Sequence, residues 1–311
     1  MSIEQVRARN QLKPWGVSDL RPWSSGHSES SLIGEISYER ADSQSTPPAL
    51  LLKLLFTSAP LSIQVHPDDA FAKLMGLPNG KTEAWYILSA THGARVALGL
   101  KQAMTPQQLR RAAEDGSMAE LMDWRLVKAH DVISVPAGTI HAIGAGIVLA
   151  EIQQRSDATY RLFDFARERP LNIQDGTAVA MRGPAEPQFQ PKRLSDERTL
   201  LVANSHFGFE RICLAAGSTW CLDAERETWL LVLEGSANVG SFDLTKGGAV
   251  LAQSQRVDIR AGNAGMECLV AYPGLDGPAP QLLRPIAQQN LAKRLHPGTV
   301  EVAEILIRTA Q

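Results

Sequence analysis

Two histidines, a glutamate and a glutamine, carried on separate segments, are the residues of this chain whose types fit metal chemistry. The first segment reads SIQVHPD, residues 62–68. On an extended strand alternate side chains share a face, so Ser62, Gln64 and His66 point one way while Ile63 and Val65 point the other. An inward polar row of this kind is costly unless it is bonded to something. The second segment, GKTEAWY (80–86), puts Lys81 and Glu83 on one face. The third, VPAGTIHA (135–142), uses a proline-glycine turn to deliver His141 at the start of the strand that follows. His66, Glu83 and His141 together offer two imidazoles and one carboxylate. That set suits zinc or a similar divalent ion, with a coordination position left for water or substrate. Gln64 is the natural weaker, fourth oxygen ligand. Ligands scattered over separate strands suit a barrel interior, not a zinc finger.

Each of these residues also has an ordinary reading. A histidine after a turn commonly serves as a hydrogen-bonded structural residue, His66 could simply end a strand before Pro67, and Glu83 could be a solvated partner of Lys81. His27, His92, His130, His206 and His296 lack comparable surroundings and read as surface or packing residues. Composition and period alone leave these alternatives open.

The elements that must position the candidates are mostly short β-runs separated by Gly, Pro and Asn/Asp turns, as in a sandwich or barrel. The clearest lie at 49–56, 61–66, 84–88, 95–100, 131–135 and 147–152. One segment departs from this pattern. Thr105, Pro106 and Gln108 supply an N-cap, a proline at the first helical position and a capping-box glutamine. Leu109, Ala112, Ala113, Met118, Leu121 and Met122 follow at helical spacing, so 105–123 reads as a short helical insertion. A polar, proline-containing stretch at 182–197 looks like a crossover. We therefore expect a catalytic β domain over 1–185 and a second β-rich domain over 186–311, with helical turns at 287–294 and 299–308.

The 311 residues are enough for a sizeable core, and a net charge of −2 from 31 basic and 33 acidic side chains leaves no basic stripe for nucleic acid. A small anionic substrate is compatible with that balance, because a few local cations suffice to hold a phosphate. The N-terminal residues carry charges where a signal peptide would be apolar, and the greasiest run, 50–56, is broken by Lys53. Three cysteines, Cys213, Cys221 and Cys268, form no C-x-x-C pair, the usage of a reducing compartment. A cytoplasmic protein without membrane or nucleic-acid partners is the expectation.

The motifs, taken together and in order, resemble those of type I mannose-6-phosphate isomerases. LSIQVHPD (61–68), GKTEAWY (80–86), PAGTIHA (136–142) and EIQQRSDATYR (151–161) match successive family motifs, and KPWG (13–16) and IGE (33–35) resemble the family's opening. Several long motifs in one order are far more specific than any one alone. The resemblance is strong over residues 10–170 and general beyond.

It implies a cupin-type, jelly-roll β-barrel with a short helical insertion and a second, degenerate cupin-like β domain lacking metal ligands. It implies one zinc ion on Gln64, His66, Glu83 and His141, with Ser62 and Lys81 beside the substrate and Arg161 as the catalytic arginine. Glu151 matches the glutamate of the strand leading into that arginine's segment, and Arg167 stands where a phosphate-facing base is expected. The implied reaction interconverts mannose 6-phosphate and fructose 6-phosphate through an enediol. Its charge would be stabilised by a divalent ion, with Glu151, a metal-bound water or Lys81 as proton carrier. Outside the motif, Arg161 would read as a surface arginine pairing Asp157 or Asp164. The readings to be separated from an isomerase are a non-catalytic sugar-phosphate-binding or sensing cupin and, less compatible with the glutamine at 64, an iron-dependent cupin dioxygenase.

Overall fold

A computed structural model of the chain describes residues 2–24, 31–42, 44–274 and 277–286. The expected turns at 287–294 and 299–308, with His27 and His296, lie outside the described residues. The described chain is mainly β and arranged as three hydrogen-bonded sheets. A five-stranded sheet runs in the order Tyr160–Phe163, Ile63–Val65, His141–Ile143, Arg95–Leu100, Met122–Leu126. A six-stranded sheet runs Arg7–Val17, Ile33–Glu39, Leu50–Thr57, Ile147–Gln154, Glu83–Ala90, Val132–Val135. The third, ten-stranded sheet gathers the C-terminal strands. Among the described residues these sheets do not join into a closed ring, so the cupin-type architecture takes the form of packed open sheets.

The six-stranded sheet is the middle layer, and its period of two divides its side chains between two interiors. Leu52, Leu54, Phe56, Tyr86 and Ile152 face the C-terminal sheet, where they meet Phe207, Phe209, Trp229 and Leu231 in one core. The alternate residues Leu55, Trp85, Ile87 and Leu149 face the five-stranded sheet and pack on Val96, Leu98 and Ile143. A strand buried on both faces reads as a nearly continuous apolar run, as 50–56 does. Fully burying a Leu or Phe side chain contributes roughly 1.5–3 kcal/mol, so these two interiors contribute heavily to stability, beside the C-terminal block's own core and the one beneath the helical insertion.

Polar ties fix the layers in register. The Glu227 carboxylate of the C-terminal block accepts the backbone N–H groups of Ala49 and Leu50 at 2.5 and 2.9 Å and the Trp229 indole N–H at 2.8 Å. Tyr38 Oη donates to the Gly247 carbonyl at 2.7 Å. The N-terminal strand Ser2–Gln5 pairs with Ala249–Gln253 of the C-terminal sheet, an exchange that four residues of sequence give no means to foresee.

The helical insertion covers the outer face of the five-stranded sheet. Its first helix, Pro106–Asp115, starts at the expected capping box: Thr105 Oγ1 accepts the Gln108 N–H at 3.2 Å, and Gln108 Oε1 accepts the Thr105 N–H at 2.8 Å. It ends at Gly116, whose φ of 83° is left-handed. After a short helix, Met118–Leu121, the chain turns into strand at Met122, so the helical stretch stops earlier than the spacing suggested. Leu109, Ala112 and Met118 pack on Ile63, Val65 and Ile140. Anchoring Ile63 and Val65 outward is what turns Gln64 inward. The 182–197 crossover runs back over this unit, and Gly99, at φ 71°, lets it approach: a Cβ there would lie 2.3 Å from the Ala185 nitrogen.

Gly80 performs a similar service at the His66 turn. Its N–H donates to Asp69 Oδ1 at 2.7 Å, the Lys81 N–H donates to the Pro67 carbonyl at 2.9 Å, and a Cβ at residue 80 would lie 2.5 Å from the Asp68 carbonyl carbon. Gly80→Ala is expected to cost about 1–3 kcal/mol by overpacking backbone against backbone, read as a lowered Tm; an unchanged Tm would contradict this close approach.

Candidate metal centre and its cavity

One rung of the five-stranded sheet carries Arg161, Gln64 and His141 side by side, since Gln64 is the register partner of both neighbours. Directly opposed residues in antiparallel strands project to the same face, so these three face inward together. His66 follows at the end of its strand. Across the interior, the six-stranded sheet contributes Glu83, and from the adjoining rung Lys53, Glu151 and Trp85 abreast. Lys81 enters just before the Glu83 strand.

Glu83 is the hub. One carboxylate oxygen, Oε2, lies 3.4 Å from His66 Nε2 and accepts from Lys81 Nζ at 2.6 Å. The other, Oε1, lies 3.4 Å from His141 Nε2 and accepts from the Trp85 indole N–H at 3.1 Å. The other ring nitrogens are already committed: His66 Nδ1 donates to the Ala158 carbonyl at 2.8 Å, and His141 Nδ1 donates to the Thr139 carbonyl at 2.9 Å. A carbonyl only accepts, so in the neutral rings both Nε2 atoms are bare lone pairs. Burial keeps them neutral, pushing His66 down to about 3 and His141 below its ordinary value against the pull of Glu83.

The donor set therefore consists of two imidazole lone pairs and a carboxylate, all buried, with ligand atoms within 4.8 Å of one another. Three acceptors aimed at one another repel unless a cation stands among them. The residues present fit a divalent ion. Lys81 already supplies one positive charge, donating also to His66 Nε2 at 3.0 Å. Burial works to lower its pKa, but the charges of Glu83 and Glu151 outweigh that and hold it above the ordinary lysine value. Gln64 faces this centre with its amide nitrogen, 3.3 Å from His141 Nε2, while its oxygen accepts from Ser62 Oγ at 3.0 Å. Ligation through oxygen requires the amide to turn over, an exchange of two nearly isosteric atoms.

The centre forms part of the wall of a cavity of about 720 Å³. Ser62, Gln64, Lys81, Glu83, Glu151 and Arg161 line it. His66 and His141 stand behind them, 1% exposed. Burial, then the charge of Glu83, raises Glu151 to about 7; its Oε1 accepts from the same Trp85 N–H at 3.1 Å. Arg161 is half-buried, with its Nε buried and unpartnered. Burial and the positive charge of Arg169 lower its pKa.

Asp164 serves Arg167 and Arg169, at 2.8 and 2.6 Å, and not Arg161. Arg167 also lies over the Phe165 ring and is absent from the cavity lining; Arg169, two residues on, lines it. Sequence reasoning gave no site role to Arg169, Arg9, Lys13, Lys53, Glu35 and Asp157, all in the lining. Lys53 had a signal as a cation interrupting an apolar strand, and Lys13, Glu35 and Asp157 stand in the runs KPWG, IGE and EIQQRSDATYR that carry the resemblance. Elsewhere, His130 is held by Tyr86 Oη at 2.7 Å, His206 lies 3.8 Å from Asp69, and His92 is exposed.

No family model matches the chain. The chain is similar to mannose-6-phosphate isomerase of Streptococcus mutans, 40% identical over 176 residues, which is 53% of this chain and 55% of that protein. It is likewise 43% identical over 120 residues to mannose-6-phosphate isomerase ManA of Bacillus subtilis, 38% of each chain. The matched stretches thus span about half or less of the relatives' length. The crystal structure of the mannose 6-phosphate isomerase from Bacillus subtilis superposes with a TM-score of 0.77 over 88% of this chain and 100% of that one, at 22% identity, a likeness of fold. The resemblance carried by the motifs is borne out.

Stripped of metal and titrated with a divalent ion that favours imidazole, the protein is expected to bind one equivalent tightly, and His141→Ala to lose that site. Wild-type stoichiometry and affinity in His141→Ala, measured by competition with a chromophoric chelator, would remove His141 from the ligand set.

Proposed function

We propose that this chain is a metal-dependent aldose–ketose isomerase that interconverts mannose 6-phosphate and fructose 6-phosphate, with zinc as its metal. The observation that carries the reading is the buried convergence of His66 Nε2, His141 Nε2 and the Glu83 carboxylate beside a cavity rich in cations. The half-length similarity to mannose-6-phosphate isomerases supports it. Two imidazoles, one carboxylate and an amide oxygen are a ligand set zinc accepts readily. The bound ion would supply Lewis-acid stabilisation of negative charge on the sugar oxygens.

The chain's own residues account for the rest. Isomerisation removes a proton at C2 and returns it at C1 through an enediol. Glu151 is the residue we assign to carry it: its carboxylate lines the cavity, and a group brought near neutrality can both take and give a proton. Lys81, held as an ammonium, is a fixed donor to a sugar oxygen. Arg161, with an unpartnered buried Nε, places fixed positive charge on the same rung as Gln64 and His141, where oxyanion charge develops. For the phosphate, Arg169 lines the same cavity and offers a guanidinium, while Arg161 is left to the reacting end. Ser62 adds a hydroxyl. The expectation for Arg167 becomes indirect: through Asp164 it helps to hold Arg169. Free thiols at Cys213, Cys221 and Cys268 accord with a cytoplasmic setting, and among the described residues no helix is long and apolar enough to cross a membrane.

A coupled assay for fructose 6-phosphate tests the reading. Turnover of mannose 6-phosphate is expected, with loss on chelation and recovery on adding zinc. Tight binding of the sugar phosphate without turnover would make the chain a binding or sensing protein instead. Arg161→Ala is expected to keep its metal and lose about 10²–10³-fold in kcat, the usual cost of removing one preorganised electrostatic donor. An unchanged kcat would strip Arg161 of its role.

A further inference from the structure

Trp85 has no place in the chemistry described so far, yet its single indole N–H is shared between the two carboxylates that matter most. It donates to Glu83 Oε1 and to Glu151 Oε1, both at 3.1 Å. The ring is fully buried in the apolar interior between the two inner sheets and is absent from the cavity lining, so it does not touch substrate. Its edge meets the His141 ring, centroids 5.6 Å apart at 69°. An apolar side chain of the same size would fill this volume equally well. The N–H is a specific addition, and a buried N–H must find a partner. It finds two anions that would otherwise repel across it.

Resting on the isomerase reading above, we propose that Trp85 is a positioning residue that couples the metal-ligand carboxylate of Glu83 to the proton-carrying carboxylate of Glu151. One proton cannot serve two acceptors fully. The N–H holds Glu83 in the orientation a cation needs, and any shift of that carboxylate as it takes up the ion alters the share of the N–H left to Glu151, so metal loading and the placement of Glu151 move together. Without the N–H, Glu83 loses the hydrogen bond that orients it, and Glu151 loses the donor that fixes its reacting oxygen.

The test is Trp85→Phe, which keeps an aromatic ring in the core and removes the donor. Zinc affinity, read by chelator competition, is expected to weaken about tenfold to a hundredfold, the usual cost of removing an outer partner of a metal ligand. At saturating zinc, kcat is expected to fall by about tenfold or more while KM for mannose 6-phosphate stays within about twofold. In a Glu151→Gln background the same substitution is expected to cost no further kcat, because the residue through which it acts is gone. Ile87→Val, a trimming of the same core, lowers Tm and leaves zinc affinity and kcat in place. Trp85→Phe with wild-type zinc affinity and kcat overturns the proposal.

If the phenyl ring does not support folding, the intact protein gives the answer. The Trp85 indole N–H resonance, assigned through its backbone, is expected to be protected from solvent exchange and to shift when zinc is added. A resonance unmoved by bound zinc overturns the coupling. A wild-type protein that binds zinc and turns over no sugar phosphate overturns the isomerase reading instead, and the zinc-affinity and indole measurements then decide the role of Trp85 toward Glu83 on their own.

Discussion

A carboxylate facing two unprotonated imidazole nitrogens is an arrangement that folding alone would not favour. Each Glu83 oxygen lies 3.4 Å from a histidine Nε2, and neither nitrogen carries a proton to offer, because each ring has given its Nδ1 hydrogen to a backbone carbonyl. Those carbonyl contacts fix the tautomer and the ring plane together, the usual means by which a metal-binding histidine is oriented. The Lys81 ammonium compensates part of the charge. The remainder of the architecture serves to keep this costly set in place.

That service explains the layering. The Glu83 strand lies in the middle sheet, buried on both sides, so its position is fixed by the core shared with the C-terminal sheet as much as by its own neighbours. The C-terminal block, for which the sequence suggests no ligands, thereby has a clear physical role: it turns one face of the sheet that carries Glu83 into an interior. On the other side, the helices at 106–121 clamp Ile63 and Val65 and oblige the alternate residues to point at Glu83 and the candidate metal centre. A single small residue decides the approach of the two ligand segments, since at Gly80 any side chain would strike the turn after His66.

How much of this could be read beforehand follows from the range of the forces involved. The alternation in SIQVHPD and the capping box at Thr105 are local, and both are legible because neighbouring residues specify them. The convergence of positions 64, 66, 83 and 141 is not local; it became readable only through the ordered motifs, since spacing along a chain says nothing about which strands pair. The lining residues Arg9, Lys13, Glu35 and Arg169 escaped for the same reason. They reach the cavity through the register of the Arg7–Val17 and Ile33–Glu39 strands and through the turn after Asp164; the runs KPWG and IGE carry Lys13 and Glu35, but nothing in them says that the two meet at the cavity. The Ser2–Gln5 strand was illegible because its partner lies some 250 residues away.

The cavity's charge follows from the same register. Along the middle sheet, acids and bases alternate: Lys13 meets Glu35 at 3.0 Å, and Lys53 stands between Glu35 and Glu151 at 3.9 and 3.8 Å. Such a ladder of two bases and two acids leaves no surplus charge of either sign for a ligand. On the five-stranded side the balance is broken, because Asp164 must serve both Arg167 and Arg169 and Arg161 is left with a buried, unpartnered Nε. The surplus positive charge is thus confined to one wall, opposite the Glu151 carboxylate and beside the metal-binding face. A ligand that carries an anion at one end and a polarisable carbonyl at the other can satisfy both at once, and only in one orientation. The uneven distribution of charge across an otherwise neutral protein therefore supports an anionic ligand more strongly than its overall composition does, as the substrate proposed above requires.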